Sequence, residues 1–304
     1  VIDLNALPLP DLFEAMTADG SLDRLLEAAR REDLAEVGDV TTTCMLEEGW
    51  AVRAVAVARS GGVACGLPAV GRILEAFDCA AEIEPLLADG EPCREGDLLW
   101  RLRGNLAQIL TAERTMLNIV GRLSGVATLT RRYVEETSGT SAVVCETRKT
   151  TPGLRSLEKY AVRCGGGTLH RLGLYDAMLL KDNHLAHLGP TELVPAVTRA
   201  AKAARATYDL RFVEVEVDGL DQLRQVLQCP AGLIDIVLLD NMPADELREA
   251  VQMRDVEGAG VLLEASGGIS LDNVRSVAET GVDRISVGAL THAARWLDVS
   301  LEVT

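Results

Sequence analysis

Four fixed cations, Arg148, Lys149, Arg171 and Lys181, crowd one short region of the chain, interleaved with glycine and histidine. They belong to Glu146-Thr147-Arg148-Lys149-Thr150-Thr151-Pro152-Gly153-Leu154-Arg155, to Gly165-Gly166-Gly167-Thr168-Leu169-His170-Arg171, and to Lys181-Asp182-Asn183-His184. Each stands at or just beyond the end of a short apolar run, where side chains from different strands converge on one pocket. One such cation is ordinarily a solvated loop charge. Four of them, with His170 among them, describe a pocket for a compact polyanion.

Carboxylates and glycine turns extend the set. Glu214 and Glu216 alternate with Val213, Val215 and Val217, so both project from one face of their strand. For Glu214, acid–base work and service as a counter-charge to nearby cations are both open. Glu216, nearer the strand end, is the functional candidate, together with Asp240 after Ile236-Val237-Leu238-Leu239. The two would hold ribose hydroxyls or a Mg2+ ion, directly or through water, since that ion takes oxygen ligands. Ser266-Gly267-Gly268 and Ser286-Val287-Gly288-Ala289 follow the last two apolar runs, where backbone N–H groups suit a phosphate. His184 and His187 lack a third ligand at suitable spacing and do not make a zinc site. Cys145 and Cys164 have no evident activating partner and are expected to be packed thiols.

An alternation of strands and helices has to position these side chains. Short apolar runs at 142–145, 177–180, 212–217, 234–239, 261–264 and 284–287 are predicted strands. Helical spacing separates them at 154–162, 192–205, 220–227, 245–254 and 271–280. That order implies a parallel sheet, and polar residues after every strand are the mark of an α/β barrel with its site at that end; about six strands leave a closed barrel, an incomplete barrel and an open sheet all open. Upstream, the pattern predicts a helix at 22–34, a turn at 38–42, strands at 50–58 and 98–103, and a helix at 69–77. A long helix is predicted from Asn105, ending near Gly125.

Composition narrows the function classes. The chain has 304 residues, 48% of them hydrophobic, enough for one large domain or two unequal ones. Its formal net charge of −16 opposes general affinity for nucleic acid or an anionic membrane, so the cationic cluster is a local exception. Seven cysteines without a C-x-x-C pair point to reduced thiols in a cytoplasmic protein. No leader or membrane-spanning run is expected.

The chain resembles the quinolinate phosphoribosyltransferase family, the carboxylating nicotinate-nucleotide pyrophosphorylases. The likeness starts at Glu32-Asp33 and Gly38-Asp39-Val40-Thr41, and passes through Glu113-Arg114-Thr115-Met116-Leu117-Asn118 and Arg122-Leu123-Ser124-Gly125-Val126-Ala127-Thr128. It is densest from Thr147 to His184, then includes Glu214-Val215-Glu216-Val217, Leu239-Asp240-Asn241, Glu264-Ala265-Ser266-Gly267-Gly268 and Val287-Gly288-Ala289-Leu290-Thr291.

The resemblance implies an α/β fold in which an N-terminal α/β sandwich (1–125) joins an incomplete, TIM-like α/β barrel (126–290), with 291–304 returning to the sandwich. It implies quinolinate and phosphoribosyl pyrophosphate as ligands, Mg2+ with the latter, and no organic cofactor. It further implies a homodimer whose sites are shared through Arg114, with no nucleic-acid or membrane partner. Residue by residue, Arg148, His170, Arg171 and Lys181 would bind the quinolinate carboxylates with help from Arg114. Lys149 would contact the reacting ligands, and Glu216 and Asp240 would serve ribose and Mg2+. Leu169 departs from the small polar residue that the family often has before His170. Three other readings use the same residues: a paralogue of a molybdenum-transport context, which tends to lose Lys-Asp-Asn-His, an aldolase using Lys149 or Lys181 as a Schiff base, and a non-enzymatic anion-binding protein that keeps the cations without turnover.

Overall fold

The computed structural model describes residues 2–46, 49–189, 191–257 and 260–303, and contacts within it divide the chain into two compact units. One consists of residues 4–131, 150–166 and 290–304; the other is chiefly 132–149 and 167–289.

The first unit opens with α1 (Leu9–Thr17), α2 (Ser21–Leu34) and α3 (Val40–Met45). The predicted turn at 38–42 is the start of α3. There the Asp39 carboxylate accepts from the Thr42 backbone N–H at 2.9 Å, satisfying a donor that a first helical turn leaves unpaired. Next come β1 (Ala51–Ala58), β2 (Gly62–Val63), α4 (Leu67–Ala76), β3 (Glu82–Pro85), β4 (Pro92–Cys93) and β5 (Leu98–Asn105). Antiparallel pairing sets Ala54 opposite Leu102 and Ala56 opposite Trp100, and all four are buried. The flanking Arg53 and Arg103 and the intervening Val55 and Arg101 pair on the other face, as the two-residue period requires.

Helix α5 (Leu106–Glu136) overturns the expected stop near Gly125. Gly125 is no terminator: a Cβ placed there would lie 2.1 Å from the carbonyl oxygen of Arg295. The residue lets another backbone touch the helix, and the helix continues past it.

The second sheet follows the predicted alternation. Its elements are β6 (Val143–Cys145), β7 (Met178–Leu180), α7 (Asp182–Leu185), α8 (Leu193–Thr207) and β8 (Val213–Val217), while α6 (Arg155–Cys164), which follows β6 in the chain, belongs to the first unit. They continue with α9 (Leu220–Val226), β9 (Ile236–Asp240), α10 (Ala244–Glu257), β10 (Leu262–Ser266), α11 (Val274–Ala278), β11 (Arg284–Ser286) and α12 (Ala289–His292). All six strands are parallel, in the order β6-β11-β10-β9-β8-β7. A parallel bridge from Cys145 to Thr168 brings the segment before His170 against the other edge of β6. This is an incomplete α/β barrel of the TIM type, with every residue of β8 buried. Finally β12 (Val299–Val303) pairs antiparallel with β1, giving the sandwich sheet the order β12-β1-β5-β3.

Candidate active site

The C-terminal ends of the parallel strands border a cavity of about 550 Å³. Arg148 and Lys149 reach it from the loop after β6, His170 and Arg171 from the bridged segment, and Lys181 from the end of β7. Glu216 of β8, Asp240 of β9, Ser266 with Gly267 and Gly268 after β10, and Ser286 of β11 complete its wall. Gly288 and Ala289 are not among its lining residues. Arg114 is exposed on α5, in the unit that does not carry the cavity.

The loops at this rim are tightly fitted. Gly267 has φ +91°, and a Cβ there would lie 2.2 Å from Oδ1 of Asn241, which itself adopts a positive φ. Only glycine lets the turn after β10 pass so close to the end of β9. The Asn241 backbone N–H donates to the Ser266 carbonyl at 2.8 Å, and its side-chain amide donates to Asp240 at 2.6 Å. These bonds fix Asp240 beside the turn.

The wall is electrostatically prepared for an anion. Burial, and next the charge of Arg148, lower the pKa of Arg171. Two guanidinium groups held close in a partly dry site repel each other until an anion joins them. Lys181 pairs through Nζ with Glu216, whose side chain is 7% exposed, while 44% of the lysine side chain remains accessible. Oγ of Ser286 is buried and has no hydrogen-bond partner among the described residues, a polar atom left over at the cavity wall.

Beneath the cavity lies a buried polar cluster. Nε2 of His170 is 3.2 Å from both Glu214 Oε2 and Glu264 Oε1, and both carboxylates are fully buried. Arg284 donates to Glu264 at 2.7 Å, and the His170 backbone N–H donates to the buried Glu146 at 2.9 Å. Burial would raise the pKa of Glu264, but His170 and Arg284 outweigh it and hold the carboxyl far below its usual range. Burial, and next the Glu264 charge, push Glu214 upward. For His170, burial alone would lower the pKa, yet the two carboxylates raise it to about 10. The His170, Glu214 and Glu264 donor atoms are close enough to ligate one ion. The hydrogen bond from the Arg171 N–H to Nδ1, at 2.8 Å, argues otherwise. With Nδ1 accepting, the ring is the neutral form with its proton on Nε2, facing the carboxylates; their charge raises its affinity for a second proton, which the Arg171 bond to Nδ1 opposes.

Glu264, Glu146 and Arg284 were not singled out as site residues from the sequence. A charge inside the apolar run Leu262-Leu263-Glu264-Ala265 was the available signal, but its partner emerges only from the register that sets Glu264 beside Arg284. Glu214 serves as a member of this cluster, and Leu169 is buried at 1%. With both His170 nitrogens engaged by other residues, the apolar Leu169 leaves the ring's bonding intact. His184 likewise has a local task, since its Nδ1 accepts from the Lys181 N–H at 2.9 Å. A neighbouring cavity of about 480 Å³ shares Glu216 but is lined by Asp182 and Asp218 and by no lysine or arginine, so it does not suit a polyanion.

Known proteins share this sequence and fold. Residues 39–124 match the quinolinate phosphoribosyl transferase N-terminal domain and residues 126–302 its C-terminal domain. The carboxylating nicotinate-nucleotide pyrophosphorylase of Mycobacterium leprae is 42% identical over 95% of this chain and 100% of its own length. A probable counterpart from Bacillus subtilis is 39% identical, covering 93% of each chain. The solved nicotinate-nucleotide pyrophosphorylase of Francisella tularensis superposes over 100% of both chains with a TM-score of 0.85 at 36% identity.

Proposed function

Because the chain belongs to the quinolinate phosphoribosyl transferase family, we propose that the cationic cavity is where it carries out that family's reaction. The protein is a phosphoribosyltransferase of NAD biosynthesis that makes nicotinate mononucleotide from quinolinate and phosphoribosyl pyrophosphate. The observation that carries the site assignment is the convergence of Arg148, Lys149, Arg171 and Lys181 on one cavity of an acidic protein.

Both substrates are multiply anionic, and the cavity divides into parts that suit each. Arg148 and Arg171 meet the two quinolinate carboxylates, since planar guanidinium forks bind carboxylates bidentately. His170, held by Glu214 and Glu264, supports Arg171 from below by accepting its backbone N–H. Lys149 and Lys181 stand where negative charge from both ligands meets. Glu216 and Asp240, on neighbouring strands, face the ribose hydroxyls. Ser266, Gly267, Gly268 and Ser286 receive the phosphate, and Gly288 and Ala289, outside the cavity lining, follow in the chain where α12 starts. As pyrophosphate leaves C1 of the ribose, the quinolinate nitrogen attacks that carbon; the now cationic ring stabilises the ylide left when the adjacent carboxylate departs as CO2, and that carbon takes a proton from water to give the product. Positioning and charge stabilisation are the protein's work, without a covalent intermediate.

Mg2+ fits the residues present, because Glu216 and Asp240 offer oxygen donors on one wall. Bound there, directly or through water, it would neutralise pyrophosphate charge. No organic cofactor enters this scheme. The exposed Arg114, on the unit without the cavity, supports a homodimer in which it completes the partner's site. Cytoplasmic residence is supported by seven free cysteines. No described helix is long and apolar enough to cross a membrane. A division at 125/126, with 291–304 returning to the sandwich, is supported by the break between the two matched segments and by β12 on β1, while the compact units differ from it in giving 126–131 and 150–166 to the sandwich side.

The Schiff-base reading is disfavoured by the ion pair of Lys181 with Glu216, which already engages that amine. The deciding assay mixes the protein with quinolinate, phosphoribosyl pyrophosphate and Mg2+. Nicotinate mononucleotide should form with one CO2 and one pyrophosphate per turnover, and absence of product from folded protein would refute the proposal.

A further inference from the structure

Two thiols and a carboxylate from three distant stretches of the chain meet inside the first unit. Cys65 stands between β2 and α4, Asp89 on the turn before β4, and Cys164 at the end of α6, all within that one unit. Their donor atoms, two sulfurs and a carboxylate oxygen, lie within 4.8 Å of one another. Both thiols are buried, whereas Asp89 is half-buried and gives the group its contact with water.

Hydrogen bonds fix the carboxylate among these segments. The Gly90 N–H donates to the Ala64 carbonyl at 2.8 Å and the Ala64 N–H to the Glu91 carbonyl at 2.9 Å, which fastens the Asp89 turn to the strand end before Cys65. Asp89 then caps α4 from a distance: Oδ2 accepts from the Gly66 N–H at 2.9 Å and Oδ1 from the Leu67 N–H at 3.0 Å. Tyr160 of α6 donates its hydroxyl to Oδ2 at 2.7 Å. A carboxylate has about four acceptor positions, so one on Oδ1 is left for another ligand.

Capping accounts for the carboxylate, but not for two thiols hydrogen-bonded to each other beside it. Among the described residues, no lysine, arginine or histidine pairs with Asp89. Burial raises its carboxyl, and burial, with next the bond to Cys164, pushes the Cys65 thiol well above its usual range. A positive charge among the three donors would offset both effects.

We propose that Cys65, Cys164 and Asp89 bind a thiolate-seeking divalent ion of the zinc class, with water as fourth ligand on the Asp89 side. Zinc–sulfur bonds of about 2.3 Å in a tetrahedral site put two sulfurs about 3.8 Å apart, which the spacing of the donors accommodates. The ion displaces both thiol protons to solvent and forms two bonds to sulfur and one to oxygen, without a change of oxidation state. Two positive charges replace two, so the net charge of the buried group is unchanged.

The test titrates reduced protein with Co2+ and then Zn2+, in a phosphine reductant and with Mg2+ in excess. Thiolate-bound Co2+ absorbs in the near ultraviolet, and Co2+ on oxygen ligands alone does not. The band should saturate at one equivalent and be bleached by Zn2+, which should also raise the melting temperature. Cys65→Ser and Cys164→Ser should each weaken binding more than about 100-fold, beyond the loss of an outer contact to a metal ligand. Cys44→Ser, which replaces an exposed thiol, should titrate as the parent does. If the serine variants do not fold, anomalous scattering at the zinc edge from crystals of the unaltered protein decides, with a peak between the three side chains expected. Absence of the thiolate band, a band that persists in both serine variants, or no anomalous peak at the three side chains overturns the proposal.

Discussion

Arg101 and Glu84 meet at 2.5 Å across β5 and β3 with both side chains open to water, whereas Arg284 meets Glu264 at 2.7 Å across β11 and β10 with the carboxylate fully buried. Contact geometry is nearly the same; the surroundings are not. The sandwich sheet keeps one wet face, so its charges pair or solvate there at little cost. The barrel strands place charges in the interior, where each needs partners. Glu84 could be exchanged for many residues, while Glu264 is tied to Arg284 and His170 and itself lines the cavity. In this protein a charge inside a parallel strand marks the neighbourhood of the site, and one on the antiparallel sheet marks only a surface.

That contrast can be broken by experiment. Glu264→Ala should cost about 3–5 kcal/mol of stability, because it strands Arg284 in the interior; denaturant midpoints measure this. The folded carboxyl lies below its ordinary value of 4.5. Its contribution is therefore present above that pH and lost as pH falls toward the lower folded value, so parent and variant should converge in acid. Next in size, Lys149→Ala and Lys181→Ala should each lower turnover at least about 100-fold with normal circular dichroism, since each removes a cation from a polyanion site. A folded variant with near-normal turnover would separate the cavity from the chemistry.

Smaller effects sharpen the other side of the comparison. Asp39→Ala removes the cap of α3 and should cost about 1 kcal/mol. Hydrogen bonds from Thr42 hold this carboxyl below its ordinary 3.8, so its loss should matter at neutral pH and fade as pH falls below that value. Glu84→Ala should change stability by no more than about 0.5 kcal/mol, and less in high salt. A large loss there would mean that the wet face of the sandwich sheet has a task of its own.

How legible each part was follows the same physics. The six parallel strands showed as apolar runs because burial on both faces admits little else. The cations were visible because they stand directly after those runs. Glu264 and Arg284 were not, since their partnership is a matter of strand register, which no single run contains. β3 was missed because Glu82, Glu84 and Pro85 look like loop, being exposed at a sheet edge. Gly125 misled by obeying a local rule while serving a distant one: the approach of the Arg295 carbonyl. α1 was overlooked although Leu12, Phe13 and Met16 share a face. What secures it is a partner far along the chain, Tyr160, whose ring stands edge-on to Phe13 at 5.3 Å.

The pairing of β12 with β1 also sets a schedule for biosynthesis. A ribosome completes β1 early, then makes all six parallel strands before β12 emerges. Until then, β1 presents an edge of unpaired N–H and C=O groups to any extended segment nearby. The barrel strands can assemble largely among their sequence neighbours, while the sandwich must wait for a contact spanning most of the chain, the kind that slows folding. The unit made first is therefore the unit finished last, and a nascent chain stalled before Val299 is the species that chaperones have to shield.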